Sequence, residues 1–166
     1  MVVNVHRRRL DADVETIGPL VDRLGGPDDR LWPSDRWPPL HLDGPPEPGA
    51  VGGHGPIRYR VQWQEPGAAV WYRFLEPAGF EGGHGFFAHR LDEGTLLEHR
   101  LEMRTSGAAR LSWPLVFAPL HDALIEDLLW RAARIAGEAP APPRWSLRVR
   151  ALRWVLERSR RRGHRR

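Results

Sequence analysis

Three histidines could carry acid–base chemistry if the fold brings them together. His89 and His99 lie in neighbouring strand-like segments, and His121 lies in a helix-like run. Because an imidazole titrates near neutral pH, two or three of them in an apolar pocket could act as general acid and base, or orient a polar group of a ligand. The alternative is structural, since a buried histidine is commonly satisfied by a backbone carbonyl or a carboxylate.

The same histidines could instead bind a metal ion. The chain has no cysteine, and no two of its histidines are separated by three or four positions. Recognised ligand spacings are therefore missing, and we predict no metal and no cofactor. Asp122 and Glu126 are four positions apart, which predicts a solvated acidic stripe beside Arg131.

The histidines are positioned by four strand-like segments between Ile57 and Arg104. Successive side chains of a strand point to opposite faces, so a half-buried strand alternates apolar and polar residues. Turn signals at 66–67, 77–79 and 92–94 predict a meander of hairpins. The predicted inner face carries Ile57, Tyr59, Val61, Trp63, Val70, Tyr72, Phe74, Phe87, His89, Leu91, Leu97, His99, Leu101 and Met103.

The relative position of two histidines depends on the last hairpin. A three-residue loop at Asp92–Gly94 would place Phe87 opposite His99 and make His89 a diagonal neighbour of His99 on the same face. The glycines at 82, 83 and 85 lead into a strand and precede no helix, so they predict a bulge or bend in a curved sheet.

The amino-terminal part predicts a strand, a helix and a long connection. Val2 to Leu10 reads as a strand, and the following helix is capped by Asp11 or Asp13. Proline and glycine dominate residues 32–56, which predicts an irregular connection whose Trp32 and Trp37 could form a cavity rim or lid.

A helix-like run from Trp113 to Glu138 carries an apolar stripe able to cover the sheet. Pro119 predicts a break or a fresh start of the helix near it. A curved antiparallel sheet gripping one long helix leaves a cavity between them, and the aromatic residues either line that cavity or pack the core. The predicted ligand-binding residues are Tyr59, Val61, Trp63, Tyr72, Phe74, Phe87, Leu97, Leu101, Trp113, Phe117, Leu120 and Leu124.

Charge and proline content divide the chain into three parts. All 25 basic residues are arginine. Residues 144–166 have a net charge of +9 and residues 1–143 a net charge of −5, so the chain's +4 comes from its end. We predict a folded domain over 1–138, a proline-rich linker over 139–144 and a basic amphipathic tail over 145–166. The composition of the tail is typical of a segment that contacts an anionic membrane, nucleic acid or the acidic domain. The alternative is that the tail is a solvated chain end.

Several motifs resemble those of the SRPBCC superfamily, which includes START-like, polyketide cyclase/dehydrase-like and lipid-transport-like domains. They are Gly82-Gly83-His84-Gly85, the stretch Asp92–Leu101, Trp113-Pro114-Leu115 and Pro119-Leu120-His121-Asp122. The order of elements over residues 2–138 is similar too. The resemblance implies an α+β, helix-grip (START-like) fold with an apolar cavity between the sheet and a long carboxy-terminal helix. It supplies no catalytic residue.

We therefore predict a protein that binds or carries a hydrophobic small molecule, lipid-like or polyketide-like. The first alternative is a polyketide cyclase or dehydratase that uses His99 with His89 or His121 for aldol cyclisation and dehydration. The second is an interaction module recruited to an anionic membrane or nucleic acid by Arg144–Arg166. With no signal-like or membrane-spanning stretch, the expected location is cytoplasmic, with peripheral membrane contact as an option.

Overall fold

A computed structural model of the chain describes the backbone of residues 1–163 and the side chains of residues 1–158. The strands are β1 (Val2–Leu10), β2 (His41–Leu42), β3 (Val51–His54), β4 (Ile57–Glu65), β5 (Ala69–Glu76), β6 (Phe80–Arg90) and β7 (Thr95–Thr105). The helices are α1 (Val14–Val21), α2 (Ala109–Ser112), α3 (Ala118–Ile135) and α4 (Leu147–Gly163).

The seven strands form one antiparallel sheet in the order β1-β7-β6-β5-β4-β3-β2. From β2 to β7 each strand lies beside the next in the chain, and β1 pairs with β7 across the whole length of β1. The curved sheet and the long helix confirm the predicted α+β, helix-grip class. The predicted long connection contains the two short strands β2 and β3.

The core lies between the inner face of the sheet and the apolar sides of α1 and α3. Asp13 caps α1, because its carboxylate accepts a hydrogen bond of 3.0 Å from the backbone N–H of Thr16. The spacing of three and four residues in α3 places Leu124, Leu128 and Ala132 on its buried face. The sheet and α3 are therefore the two walls that define any internal site.

Of the predicted break or fresh start near Pro119, the structure has a fresh start: α3 begins at Ala118, although the chain stays helical from Ala109 to Ile135. Residues Trp113–Phe117 form a π-helical turn between α2 and α3, in which the N–H of Ala118 bonds to the carbonyl of Trp113. Pro119 then lies in the first turn of α3. A wide turn here accommodates the proline ring and its missing N–H without ending the helix.

The register of the last hairpin differs from the prediction by one residue. Phe86 lies opposite His99, and Arg90 lies opposite Thr95. The loop thus has four residues, 91–94, and Gly94 adopts a φ of 78° that favours glycine. A shift of one residue reverses every side chain of a strand. His89 and Phe87 therefore lie on the outer face, and the prediction that they point inward is wrong.

Trp63 also lies on the outer face, contrary to the prediction. The pairing of β4 with β5 shifts register between Val61 and Trp63, and this irregularity changes the face to which later side chains point. Trp63 lies opposite Trp71 and packs against Phe87, with ring centroids 6.0 Å apart. The outer face thus carries an aromatic patch.

Gly83 and Gly85 of β6 leave room for Trp71. Of the predicted bulge or bend, the bulge is absent, since β6 pairs with β7 and β5 without interruption through these two residues. A methyl group at Gly85 would lie 2.7 Å from the Trp71 ring. We expect Gly85→Ala to lower the free energy of unfolding by about 1–3 kcal/mol through overpacking. Urea unfolding measures this. Gly44→Ala is the control, because a methyl group there meets no atom within 4 Å; equal losses in both variants would contradict the prediction.

Candidate functional site

A cavity of about 450 Å³ lies between the inner face of the sheet and α3. Its wall is mainly apolar, and its polar lining includes His84 and His121. The apolar lining residues include Trp37, Ile57, Phe74, Phe80, Leu101, Trp113, Val116, Phe117, Leu120, Leu124 and Leu156. The cavity is therefore large enough for a small organic molecule, whose usual sites measure about 300–1,000 Å³.

Four histidines from four elements form a row beside the cavity. Nδ1 of His84 on β6 lies 3.2 Å from Nε2 of His99 on β7, and the two rings share a hydrogen bond. The His99 ring centroid lies 4.9 Å from that of His121 on α3, and the His121 centroid lies 6.0 Å from that of His6 on β1. Only the tertiary fold brings them together.

The inner pair of this row is neutral near pH 7. Burial lowers the pKa of His84 and of His99 well below the usual range, and the neighbouring His121 lowers both further. Each neutral ring has one N–H donor and one acceptor nitrogen. Among the described side chains, Nε2 of His84 and Nδ1 of His99 have no hydrogen-bond partner. The pair can therefore donate a hydrogen bond to a polar group of a ligand, or accept one from it.

Two tyrosines surround His84 on the same face. Its ring centroid lies 4.9 Å from Tyr59 and 5.2 Å from Tyr72. Burial raises the pKa of both phenols, so they stay protonated. Both hydroxyl oxygens are buried without a hydrogen-bond partner in the described part of the chain. This end of the site has more unpaired polar atoms than an ordinary core, in which such groups are paired.

The outer end of the row is anionic. Nδ1 of His6 lies 2.8 Å from Glu126 Oε1, and Nε2 of His6 lies 3.2 Å from Asp122 Oδ1. Burial alone would lower the pKa of His6, but the hydrogen bonds to Asp122 and Glu126 outweigh it and raise this pKa. The predicted solvated stripe is thus wrong in part, because both carboxylates reach across to β1. Arg131 pairs with Asp35 instead.

A buried carboxylate holds α4 against the folded domain. Asp127 is fully buried and accepts hydrogen bonds from Arg36 (2.7 Å), Trp37 Nε1 (2.7 Å) and Trp145 Nε1 (2.9 Å). The guanidinium of Arg153 lies 4.0 Å from the Trp145 ring centroid, in cation–π geometry. Residues Arg153, Leu156 and Glu157 of α4 line the cavity mouth. The basic segment therefore forms part of the site within the described residues.

The structure separates the predicted site residues into three groups. Phe74, Leu101, Trp113, Phe117, Leu120, His121 and Leu124 line the cavity. Tyr59, Val61, Tyr72, Leu97 and His99 are buried in the core. Trp63, Phe87 and His89 lie on the outer face.

Sequence reasoning missed His84 and Asp127 as site residues. His84 shares its strand face with Phe86, but the glycines around it conceal the alternation of β6. Asp127 follows Leu124 by three positions and precedes Leu128, so its place in the apolar stripe was a usable signal.

The fold matches solved structures of low sequence identity. The solution structure of CalU16 from Micromonospora echinospora is 18% identical, with a TM-score of 0.58 over 85% of this chain and 69% of that chain. DynU16, from the dynemicin biosynthetic locus, is 19% identical, with a TM-score of 0.55 over 80% of this chain and 46% of its own. These matches show that the chain has a helix-grip fold. This helix-grip fold also matches norcoclaurine synthase from Thalictrum flavum, solved with a transition-state analogue.

The match to norcoclaurine synthase has 13% identity and a TM-score of 0.55, over 78% of this chain and 94% of that chain. No protein-family model matches the sequence, and no curated protein matches it either. Identities this low show the helix-grip fold alone, so the function of this helix-grip protein depends on its own site. None of the helices within residues 1–163 is long and apolar enough to cross a membrane.

Proposed function

We propose that the protein binds a small hydrophobic molecule in the cavity between the sheet and α3. The observation that carries this proposal is the combination of an apolar cavity of about 450 Å³ with unpaired histidine nitrogens beside it. Apolar walls favour the transfer of an apolar ligand from water. A few convergent polar groups then fix its orientation.

The polar groups specify the ligand class further. His84 and His121 lie in the cavity wall. A neutral imidazole offers a donor and an acceptor, so it suits a carbonyl or hydroxyl group and has no net charge to attract a carboxylate. Arg36 and Arg153 also line the cavity. The expected ligand is therefore mainly apolar, with a carbonyl or hydroxyl group beside the two histidines, as in many lipids and aromatic polyketides.

Filling the cavity tests the proposal. Leu120→Trp adds an indole to the cavity wall and is expected to weaken binding at least about tenfold, which corresponds to about 1.4 kcal/mol. Native mass spectrometry of protein mixed with fatty acids and aromatic polyketides measures the bound fraction. Leu111→Trp is the matched control, because Leu111 is 69% exposed and lies outside the cavity lining. Equal uptake by both variants, or no uptake by the wild-type protein, would reject the cavity as the binding site.

Catalysis is the second candidate, favoured by the hydrogen bond between His84 and His99. A neutral pair beside a bound carbonyl compound could take a proton from a carbon next to the carbonyl and return it to oxygen, as cyclisation and dehydration require. His121 belongs to this candidate, whereas His89 does not because it lies on the outer face. Gln at position 99 keeps hydrogen-bonding capacity without titrating. Unchanged turnover of an accepted substrate by His99→Gln would exclude the catalytic role.

Recruitment by Arg144–Arg166 stays a prediction. The described part of this segment contacts the folded domain, since Arg148 donates hydrogen bonds of 2.9 Å to the carbonyls of Pro114 and Leu115. Trp154 and Val155 remain more than half exposed. Such a surface is compatible with contact to an anionic membrane or to nucleic acid.

A further inference from the structure

A cluster of imidazole and carboxylate groups lies between β1 and α3, next to the main cavity, and shares only His121 with the cavity wall. One ligand atom from each of His6, His121 and Asp122 lies within 4.8 Å of the other two. The residues come from two elements that are more than one hundred positions apart in the chain. Ligand spacing within the sequence therefore gave no sign of them.

The separations of these atoms suit a metal ion. His6 Nε2 lies 3.2 Å from Asp122 Oδ1, and His121 Nδ1 lies 3.5 Å from the same oxygen. Ligands about 2.0–2.1 Å from a tetrahedral zinc ion lie about 3.3 Å from one another. Two nitrogens and one oxygen are also a ligand set that zinc and similar cations accept.

Neighbouring groups hold the ligands in place. Glu126 contacts Nδ1 of His6 at 2.8 Å, which directs Nε2 of the same ring toward Asp122 and His121. Carboxylates beside metal-bound histidines commonly have this role. The amide of Asn4 donates a hydrogen bond of 2.9 Å to Asp122 Oδ1.

Unpaired buried atoms give an independent indication. Both ring nitrogens of His121 and the side-chain oxygen of Asn4 are buried without a hydrogen-bond partner among residues 1–158. Buried polar groups normally have partners, so the cluster is incomplete as a hydrogen-bond network. A cation would give His121 a partner.

The cluster is also accessible. The side chains of Asp122 and Glu126 are about half exposed, at 47% and 46%. Both line a surface groove of about 330 Å³ between α3 and residues 143–149. A hydrated cation can therefore reach the carboxylates from solvent, while the two histidines lie further inside.

We propose that His6, Asp122 and His121 bind a divalent transition-metal cation of the zinc class, with Glu126 orienting His6. Three protein ligands leave a fourth position for water or another small ligand. This site shares His121 with the wall of the main cavity, whereas neither His6 nor Asp122 lines that cavity.

Metal binding to the full, tag-free chain tests the proposal. After treatment with a chelator, Co²⁺ is added and visible absorption is recorded; Zn²⁺ affinity is then measured by calorimetry. The expected result is one saturable site with the intense visible bands of a four- or five-coordinate Co²⁺ ion. Glu126→Gln is expected to lower Zn²⁺ affinity by about 10- to 100-fold. His6→Gln and Asp122→Asn should lower it further.

The matched control is His89→Gln, which removes an exposed histidine from the opposite face of the sheet and should leave affinity unchanged. Circular dichroism checks that each variant is folded. No saturable binding, or wild-type affinity in both His6→Gln and Asp122→Asn, would overturn the proposal. In that case the cluster is an ion pair between a protonated His6 and its two carboxylates. A failure of hydrophobic uptake with intact Zn²⁺ binding would reject only the proposed function.

Discussion

Replacing Asp127 by alanine is expected to lower the free energy of unfolding by about 3–5 kcal/mol, as removal of one partner of a buried ion pair does. The substitution deprives Arg36 of its carboxylate and leaves the indole N–H groups of Trp37 and Trp145 unpaired. Each unpaired buried donor carries a desolvation penalty. Urea unfolding followed by tryptophan fluorescence measures the loss.

The same variant is expected to release α4 from the domain, because Trp145 connects the segment after the proline-rich stretch to α3. Limited proteolysis should cut between residues 138 and 147 sooner in Asp127→Ala than in the wild-type protein. Asp35→Asn is the control, since Asp35 is 61% exposed and pairs with Arg131 at the surface, where such pairs contribute at most about 1 kcal/mol. Similar losses in the two variants would contradict the role assigned to Asp127.

Acid is expected to destabilise the protein steeply below about pH 6.5. His84 and His99 are fully buried, and their pKa values in the folded state lie well below the unfolded value of 6.5. Between these values the unfolded chain binds protons that the folded chain does not. Each histidine then contributes a loss of about 1.4 kcal/mol per pH unit, or about 3 kcal/mol per unit for the pair. Their stabilising contribution is therefore complete above pH 6.5 and is lost as pH falls.

Burial also lowers the pKa of His121, so this histidine adds to the loss below pH 6.5, whereas His6 and Asp122 act in different pH ranges. The raised pKa of His6 gives stability that is present below pH 6.5 and is lost as pH rises through its folded value, so His6 does not offset the acid loss. Burial favours the protonated form of Asp122, but the neighbouring His121 ring and the hydrogen bonds with His6 and Asn4 outweigh this and lower its pKa. Its contribution is therefore lost only below about pH 4.

Urea unfolding at pH 7.5, 6.5 and 5.5 measures the acid effect. The double variant His84→Gln with His99→Gln should show a much smaller decrease below pH 6.5 than the wild-type protein. His89→Gln is the matched control, because it removes an exposed histidine and should keep the steep decrease. A wild-type stability that is constant from pH 7.5 to 5.5 would show that these two imidazoles are not buried in neutral form.

Local patterns were sufficient for the elements themselves. Alternation in β4, β5 and β7 predicted their existence because each has one buried face, and period-two patterns report this directly. The apolar stripe of α3 predicted the long helix for the equivalent reason, with a period near 3.6. Asp13, one of the two predicted caps of α1, depends only on residues within one helical turn.

The face of the sheet on which each side chain lies was decided by loop length and strand register. One extra residue in the β6–β7 loop placed His84 and Phe86 inward and His89 outward, because a strand reverses its faces with each residue. A register shift in β4 placed Trp63 on the outer face. The sequence of β6 was compatible with either residue pointing inward, since Phe86 and Phe87 are both aromatic.

By itself, the sequence determined a helix-grip arrangement, an apolar interior and an arginine-rich end, because these follow from composition and periodicity along the chain. Only the tertiary structure decided which histidines meet and that Asp127 holds α4 at the cavity mouth. His6 and Asp122 are separated by 116 positions, and Arg36 and Asp127 by 91. Contacts over such separations depend on how the sheet curves around α3, a property of the whole chain that no local pattern contains.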